Sequence, residues 1–401
     1  MNDHTPHQQS EELPISLQGY LGPTPPQGQL PPRGERHWVD RAEQLQRAVA
    51  ALKQAQVVAV DAEFTQMRSR TQQDHLSTVP RLALLQVAIE QQCYVIDALR
   101  LNDLTPLMAV FGQPATAVLL HGAGADLRVM AERGLHVPHY YDLEATSRSI
   151  FGQHESSLAA MLQRAFGIRL DKSLQRTDWT RRPLPQAMIA YAARDAEVTL
   201  ALYSWLARYY PSILALHEYT DHDETVAAWI EPFLYGSATT APEIAIIEAK
   251  AQGLIQDKTQ IYEDCRTALR TLIHPMHRSR LLRLIADLSL HKLAPDIQAC
   301  LQATTSDERA AAARALGRLN GKPAQEELET LLQDPVQDVR KAAQTALRNL
   351  NAKEPRIPKM PTTRSSDGTR SWVVETQEEA NTGNVTIDAT DWKARLRSMM
   401  E

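Results

Sequence analysis

Val57-Val58-Ala59-Val60-Asp61-Ala62-Glu63-Phe64 is the stretch from which the fold is read. Its first four residues are small and apolar, mostly β-branched, and show no alternation with polar positions. That is the pattern of a strand buried on both faces at the centre of a sheet. Side chains alternate along a strand, so Asp61 and Glu63 leave the backbone on the same side. They stand at the carboxyl end of the run, where open α/β sheets place their ligands. Two close carboxylates repel, so one holds a proton or the pair shares a cation. Asp-x-Glu is equally the way a strand runs out into a polar loop, and the rest of the chain decides between the two readings.

At 401 residues the chain is too long for one ordinary domain, and two or three are expected. No apolar run is long enough to span a membrane. A net charge of −5 excludes a globally basic nucleic-acid coat but leaves room for a local basic patch. Cys93, Cys265 and Cys300 are scattered, which speaks against a disulfide or zinc framework and for a reducing, cytoplasmic setting. Residues 1–36 are polar and rich in Pro and Gln, and are expected to form a disordered leader without a secretory signal.

From Asp40, read as an N-cap, Ala42, Leu45, Ala48 and Leu52 follow helical spacing into the central strand. A polar loop, Thr65 to Thr78, carries Arg68, Arg70 and His75. Leu82–Val87 and Cys93–Ile96 then complete a three-strand meander, and a helix from Leu104 to Phe111 leads to a fourth strand, Ala117–Leu120. After it comes His121-Gly-Ala-Gly-Ala-Asp126, whose glycines allow a tight turn into a helix with Asp126 in its first turn. An aspartate there is a dipole partner or a functional ligand; His121 reads as a turn or packing residue. Helices are expected over 142–151 and 157–166. Between them and a helix opened by Pro185 lies a basic loop with Arg169, Lys172, Arg176, Arg181 and Arg182 around Trp179. Such a loop suits a backbone-tracking, base-stacking surface, while Trp179, flanked by Asp178 and Thr180, is better suited to pack and pin the loop. Tyr191 and Asp195, four apart, share one face of the following helix.

Taken in order, these pieces resemble the ribonuclease D family of DEDD 3′–5′ exonucleases. Asp61-Ala-Glu63-Phe64 resembles the first exonuclease motif, His121-Gly-Ala-Gly-Ala-Asp126-Leu127 the second, and Tyr191-Ala-Ala-Arg-Asp195 the third in its tyrosine form. The segment Leu170–Leu184 is similar to the one that precedes the third motif. The resemblance spans residues 37–211 and implies an α/β ribonuclease H-like domain, a mixed sheet flanked by helices. The loop after Phe64 is longer than the family's usual connection. The implied catalytic set is Asp61, Glu63, Asp126, Tyr191 and Asp195, with Phe64, Lys172, Arg176 and Arg181 on the substrate. Asp61, Glu63, Asp126 and Asp195 would hold two divalent metal ions, and an all-oxygen donor set suits Mg²⁺ or Mn²⁺ rather than zinc. Two such ions clamp an in-line phosphoryl displacement; Asp61 would bridge them, Asp126 would act largely from the outer shell, and Tyr191 would orient the water. The implied partner is a single-stranded nucleic acid 3′ end, RNA favoured over DNA. A DNA exonuclease, or an inactive exonuclease fold serving as a scaffold, are the alternatives.

Residues 212–275 look helical and carry no assignable signal. From 276 to 351 an internal repeat sets in: Arg278, Arg309 and Arg340 are 31 apart (309 − 278 and 340 − 309). Leu281, Ala312 and Ala343 keep that offset, as do Ile285, Leu316 and Leu347, then Leu288, Leu319 and Leu350, with Ile297/Leu328 and Leu301/Leu332 between them. This is the pattern of an all-α, HEAT-like stack of helix pairs sharing one core, a surface that offers itself to a protein partner. Residues 352–401 read as a flexible tail ending in a short amphipathic segment over 391–400.

Overall fold

The computed structural model describes residues 25–65, 80–113, 115–170, 173–174, 177–220, 226–235 and 240–351. The expectations for most of the leader, the loop after Phe64, Lys172, Arg176 and the tail lie outside them.

Seven strands form one mixed sheet: β1 Glu35–Val39, β2 Val57–Thr65, β3 Arg81–Ile89, β4 Gln92–Asp97, β5 Ala117–Leu120, β6 His139–Asp142 and β7 Glu218–Thr220, in the order β1-β4-β3-β2-β5-β6-β7. The expected meander is β2-β3-β4, antiparallel throughout. β5 joins the other side of β2 in parallel, with Val57 opposite Ala117. β2 is therefore central, and its apolar run is covered on both faces. Val58, Val60 and Ala62 face a core built with Leu45, Val49 and Leu52 of α1 (Ala42–Leu52). Ala59 faces Met188, Ala192 and Ala196 of a helix on the opposite side.

Three strands carry no sequence signal. β1 pairs in parallel with β4, Glu35 to Gln92 through Val39 to Ile96, so ordered structure begins inside the stretch read as leader. Even before β1 the chain is tied down: Gly28 N donates to Ala165 O at 2.7 Å and Trp205 Nε1 to Pro26 O at 3.3 Å. β6 and β7 are short and only partly buried, and their apolar pattern is too brief to register. β7 pairs with β6, so the sheet takes in residues beyond 211, where the expected exonuclease domain ends.

The N-cap of α1 is Arg41, not Asp40. The Gln44 side chain accepts from the backbone of both residues, and the Asp40 carboxylate turns to Arg100 at 2.7 Å. The helix expected over 104–111 forms as a tight turn, Thr105–Leu107, running into α2 (Met108–Phe111). Then follow α3 (Ala123–Ala131), α4 (Leu143–Phe151) capped by Asp142, α5 (Leu158–Phe166) capped by Ser157, and α6 (Gln186–Tyr209), which Pro185 immediately precedes without a side-chain cap. α7 (Pro211–Leu216) leads into β7.

The remaining helices are α8 Glu231–Tyr235, α9 Pro242–Ala251, α10 Lys258–Thr271, α11 Pro275–Asp287, α12 Ala294–Gln298, α13 Ser306–Arg318, α14 Gln325–Thr330 and α15 Gln337–Asn351. One core runs through them from Trp229 to Leu350, so the helical part draws in most of the stretch expected to be a connection. α11, α13 and α15 start 31 residues apart (306 − 275 and 337 − 306). Ser289 and Asn320, also 31 apart (320 − 289), both turn the chain left-handed at φ 53.

The repeated arginine explains the period. Arg309 Nη1 donates to Ala303 O and Thr304 O, Arg278 Nη1 to Leu269 O and Leu272 O, and Arg340 Nη1 to Asp334 O and Pro335 O. Each fastens the end of one helical segment to the start of the next by satisfying carbonyls that the helix leaves without a donor. One expected repeat position fails: Leu301 is buried but Leu332 is 36% exposed, although each lies in the tight turn that ends its unit, over 299–302 and 331–333.

Arg309 also meets Asp334 in a fork, at 2.8 and 3.1 Å, with both side chains buried. Asp334→Asn removes the charge and leaves a buried guanidinium without its counter-ion. The expected cost is about 3–5 kcal/mol in urea unfolding of the full chain; a loss under about 1 kcal/mol would contradict this role for the pair.

Candidate active site

Three elements bring the carboxylates together. Along β2, Asp61 and Glu63 share the α6 face with Ala59, and the ladder slips by one residue only after Glu63, between Glu63 and Phe64. Such a bulge at a strand end ends regular pairing beside a site. Asp195 comes from α6, which packs across that face. Carboxylate oxygens of Asp61, Glu63 and Asp195 all lie within 4.8 Å of one another. Asp126 stands outside that trio but is close enough to raise the charge cost of both Asp61 and Glu63.

Asp126 is placed by the turn that the sequence marks with glycines. Gly122 has φ 84, in the left-handed region that favours glycine. Asp142 accepts from Gly122 N at 3.0 Å and Ala123 N at 3.3 Å while capping α4, so one side chain joins two helix starts. His121 is in the turn itself.

The electrostatics are those of charges crowded away from water. Asp61 is held well above the usual carboxylate range, by burial first and then by Asp126, Asp195 and Glu63. Glu63 is pushed up to about 8 by burial, then by Asp195 and Asp126. Asp126 is pushed up to about 7 by burial and by Asp142. The Gln86 amide, with its nitrogen facing Asp61, donates to Asp61 Oδ2 at 3.3 Å and to its carbonyl at 2.6 Å. Tyr191, one turn from Asp195 and hydrogen-bonded to it, is likewise shifted upward, by burial and by the Asp195 charge, so its hydroxyl keeps its proton.

Trp179 packs. It is 3% exposed, in one core with Leu184, Met188 and Ala192, and its ring lies 6.1 Å from that of Tyr191. Of the loop's cations, Arg181 is exposed. Arg182 is structural: it grips the buried Asp97 carboxylate at 2.6 and 2.7 Å and donates to Trp179 O and Ala83 O. Phe64 packs against the core on the other face of β2 from the carboxylates. Sequence reading missed Gln86, Asp97, Asp142 and Arg182. A lone Gln in an apolar strand was a usable signal for the first; the others looked like ordinary strand-end and loop polarity.

Residues 36–210 match the family model of 3′–5′ exonucleases. This segment is a 3′–5′ exonuclease domain. "Exosome complex exonuclease RRP6" of Saccharomyces cerevisiae is 31% identical over 171 residues, 42% of this chain and 22% of that protein. "Ribonuclease D" of Shewanella sp. is 31% identical over 164 residues, 41% of this chain and 40% of that protein. The chain thus spans less than half the length of these curated relatives. Among solved structures, Escherichia coli RNase D aligns over 77% of this chain and 75% of that one, at 21% identity and a TM-score of 0.40. The exonuclease fold implies divalent metal ions, and three convergent carboxylates, of which Asp61 and Glu63 are raised by burial and then by their neighbours' charge, are a donor set that fits them.

A carboxyl whose folded pKa lies above its free value costs stability as it ionises. For Glu63 that cost is absent below the free value of 4.5, grows as pH rises and is complete above about 8. In chelator, the melting advantage of Glu63→Gln over wild type is therefore expected to widen from about pH 5 to about pH 8, and saturating Mg²⁺ is expected to erase it. An advantage independent of pH would contradict the crowding of these groups.

Proposed function

We propose that the chain is a metal-dependent 3′–5′ exoribonuclease that releases 5′-mononucleotides from RNA 3′ ends in RNA processing or turnover. The observation that carries this is the meeting of Asp61, Glu63 and Asp195, with Tyr191 one turn from Asp195 and Asp126 alongside, inside a segment that matches the exonuclease family. RNA rather than DNA is favoured because the relatives are named ribonuclease D and exosome exonuclease.

Asp61, Glu63 and Asp195 would hold divalent cations, Mg²⁺ or Mn²⁺, with Asp126 supporting a second ion from further out. When bound, the pair supplies an activated water and neutralises charge on the phosphate undergoing in-line displacement. The protein's own contribution is positional. The Tyr191 hydroxyl, held protonated, orients the attacking water against the terminal phosphate. Gln86 fixes the Asp61 carboxyl, and Asp142 fixes the turn that presents Asp126. Arg182 and Asp97 anchor the Trp179 loop, which leaves Arg181, with Lys172 and Arg176, to meet phosphates. The HEAT-like repeats form a second surface for a partner. Three free, buried cysteines support a reducing, cytoplasmic setting.

With a 5′-labelled single-stranded RNA and Mg²⁺, products are expected to shorten stepwise from the 3′ end, and a 3′ phosphate to block the reaction. Asp61→Asn is expected to abolish release, and Tyr191→Phe to slow it roughly 10²-fold with metal affinity retained. Cuts within a circular RNA, or full activity in Asp61→Asn, would overturn the proposal.

A further inference from the structure

The exonuclease domain and the helical repeats meet along α4, α11, α13 and α15, and the junction encloses a groove of about 540 Å³. Five arginines line it: Arg148 from α4, Arg280 and Arg283 from α11, and Arg314 and Arg318 from α13. Arg283 and Arg314 occupy the same position of successive repeats, 31 apart (314 − 283), so two units in a row each set an arginine on the groove, and the third sets Thr345 there. In a chain of net charge −5 this is a local reversal of sign.

The carboxylates nearby cancel it only in part: the lining sets Asp307 and Asp338 against five arginines. Asp307 accepts from Ser149 Oγ at 2.9 Å, and Asp338 accepts from Gln153 N at 2.8 Å; both are spent on holding the two domains together. Ser306 Oγ adds a third tie, to Arg148 O. Arg318 is paired with Asp287 at 2.6 Å, and Arg280 donates to Leu234 O. Among the described residues Arg148, Arg283 and Arg314 form no ion pair. Arg280 and Arg314 are both lowered, Arg280 by burial and then by Arg148 and Arg283, Arg314 by burial first, against a pull from Asp338 that outweighs the push from Arg283. They stay charged, and the crowding is one that an anion would relieve.

We infer that this groove takes the sugar-phosphate backbone of single-stranded RNA upstream of the 3′ end held at the carboxylates. The inference rests on the exoribonuclease reading above. Its link to the site is α4: Asp142 at its start fixes the turn carrying Asp126, and Arg148 lies roughly 9 Å further along the same helix at 1.5 Å per residue. The lining explains why the ligand is a backbone. Ala286, Ala310, Ala311 and Ala315 leave room for a chain to lie close between the arginines, no aromatic ring is present to stack a base, and Met276 is the one large apolar side chain. An acidic protein segment would need apolar anchor pockets as well as charge. Phosphates at regular spacing need only the charge.

The test is binding by the full chain carrying Asp61→Asn, so that RNA is not consumed, with and without Arg283→Gln/Arg314→Gln. Fluorescence anisotropy would compare a strand of about twenty nucleotides with one of about four, short enough to sit at the carboxylates alone. The double variant is expected to bind the long strand about tenfold more weakly, to flatten its log K against log salt slope by about 1.4, and to leave the short strand and the melting temperature unchanged. Arg283→Lys/Arg314→Lys is expected to restore most of the long-strand affinity. Equal loss on both lengths, no loss at all, or tighter binding of a polyglutamate peptide than of RNA would overturn the inference. If the unsubstituted protein degrades no RNA while the double variant still loses the long strand alone, the enzyme reading fails and the groove assignment stands.

Discussion

Four carboxylates that repel one another are held together, and much of the exonuclease domain is arranged to keep them there. Asp61 and Glu63 have no freedom to separate, because β2 is paired on both sides and its pleat sends both to one face. α6 lies across that face and delivers Asp195 with Tyr191. The Gly122 turn, locked by Asp142, delivers Asp126. Asp61 and Glu63 are shifted upward by burial first and then by the charges around them, and Asp126 by burial and by Asp142. A site that costs stability when empty and charged is poised to take up divalent ions, and the energy stored in the repulsion is released on binding.

What could be read from the sequence, and what could not, divides by range. The central strand, the meander and the helices α4 and α5 were legible because each depends on neighbours within a few residues: an apolar run, an alternation or a helical period. Asp126, Tyr191 and Asp195 were legible through their local settings once the pieces were taken in order. β1, β6 and β7 were not, since short edge strands owe their existence to the strand beside them. The Asp97–Arg182 fork joins residues 85 apart, and nothing in either local sequence announces the other. Asp40 failed as a cap because Arg100, distant in the chain, competes for its carboxylate.

The helical half shows the same division. The period of 31 was legible, yet its cause was not: Arg278, Arg309 and Arg340 each reach back to carbonyls at a helix end, so the arginine recurs because the junction recurs. Leu332 followed the period and is still 36% exposed, while Cys300 and Leu331, also 31 apart (331 − 300), are both buried. The groove between the halves lay beyond sequence altogether. Arg283 and Arg314 are ordinary exposed positions until α4 is set against them.

The account stands or falls on how the terminal phosphodiester is broken. The direct measurement is degradation of RNA by the full chain with Mg²⁺ in water enriched in heavy oxygen, with products read by mass spectrometry. Attack by a water positioned among Asp61, Glu63, Asp195 and Tyr191 predicts 5′-mononucleotides, each carrying one heavy oxygen on its phosphate. Cyclic phosphates, or mononucleotides without the label, would mean that the carboxylate cluster does not perform the chemistry assigned to it.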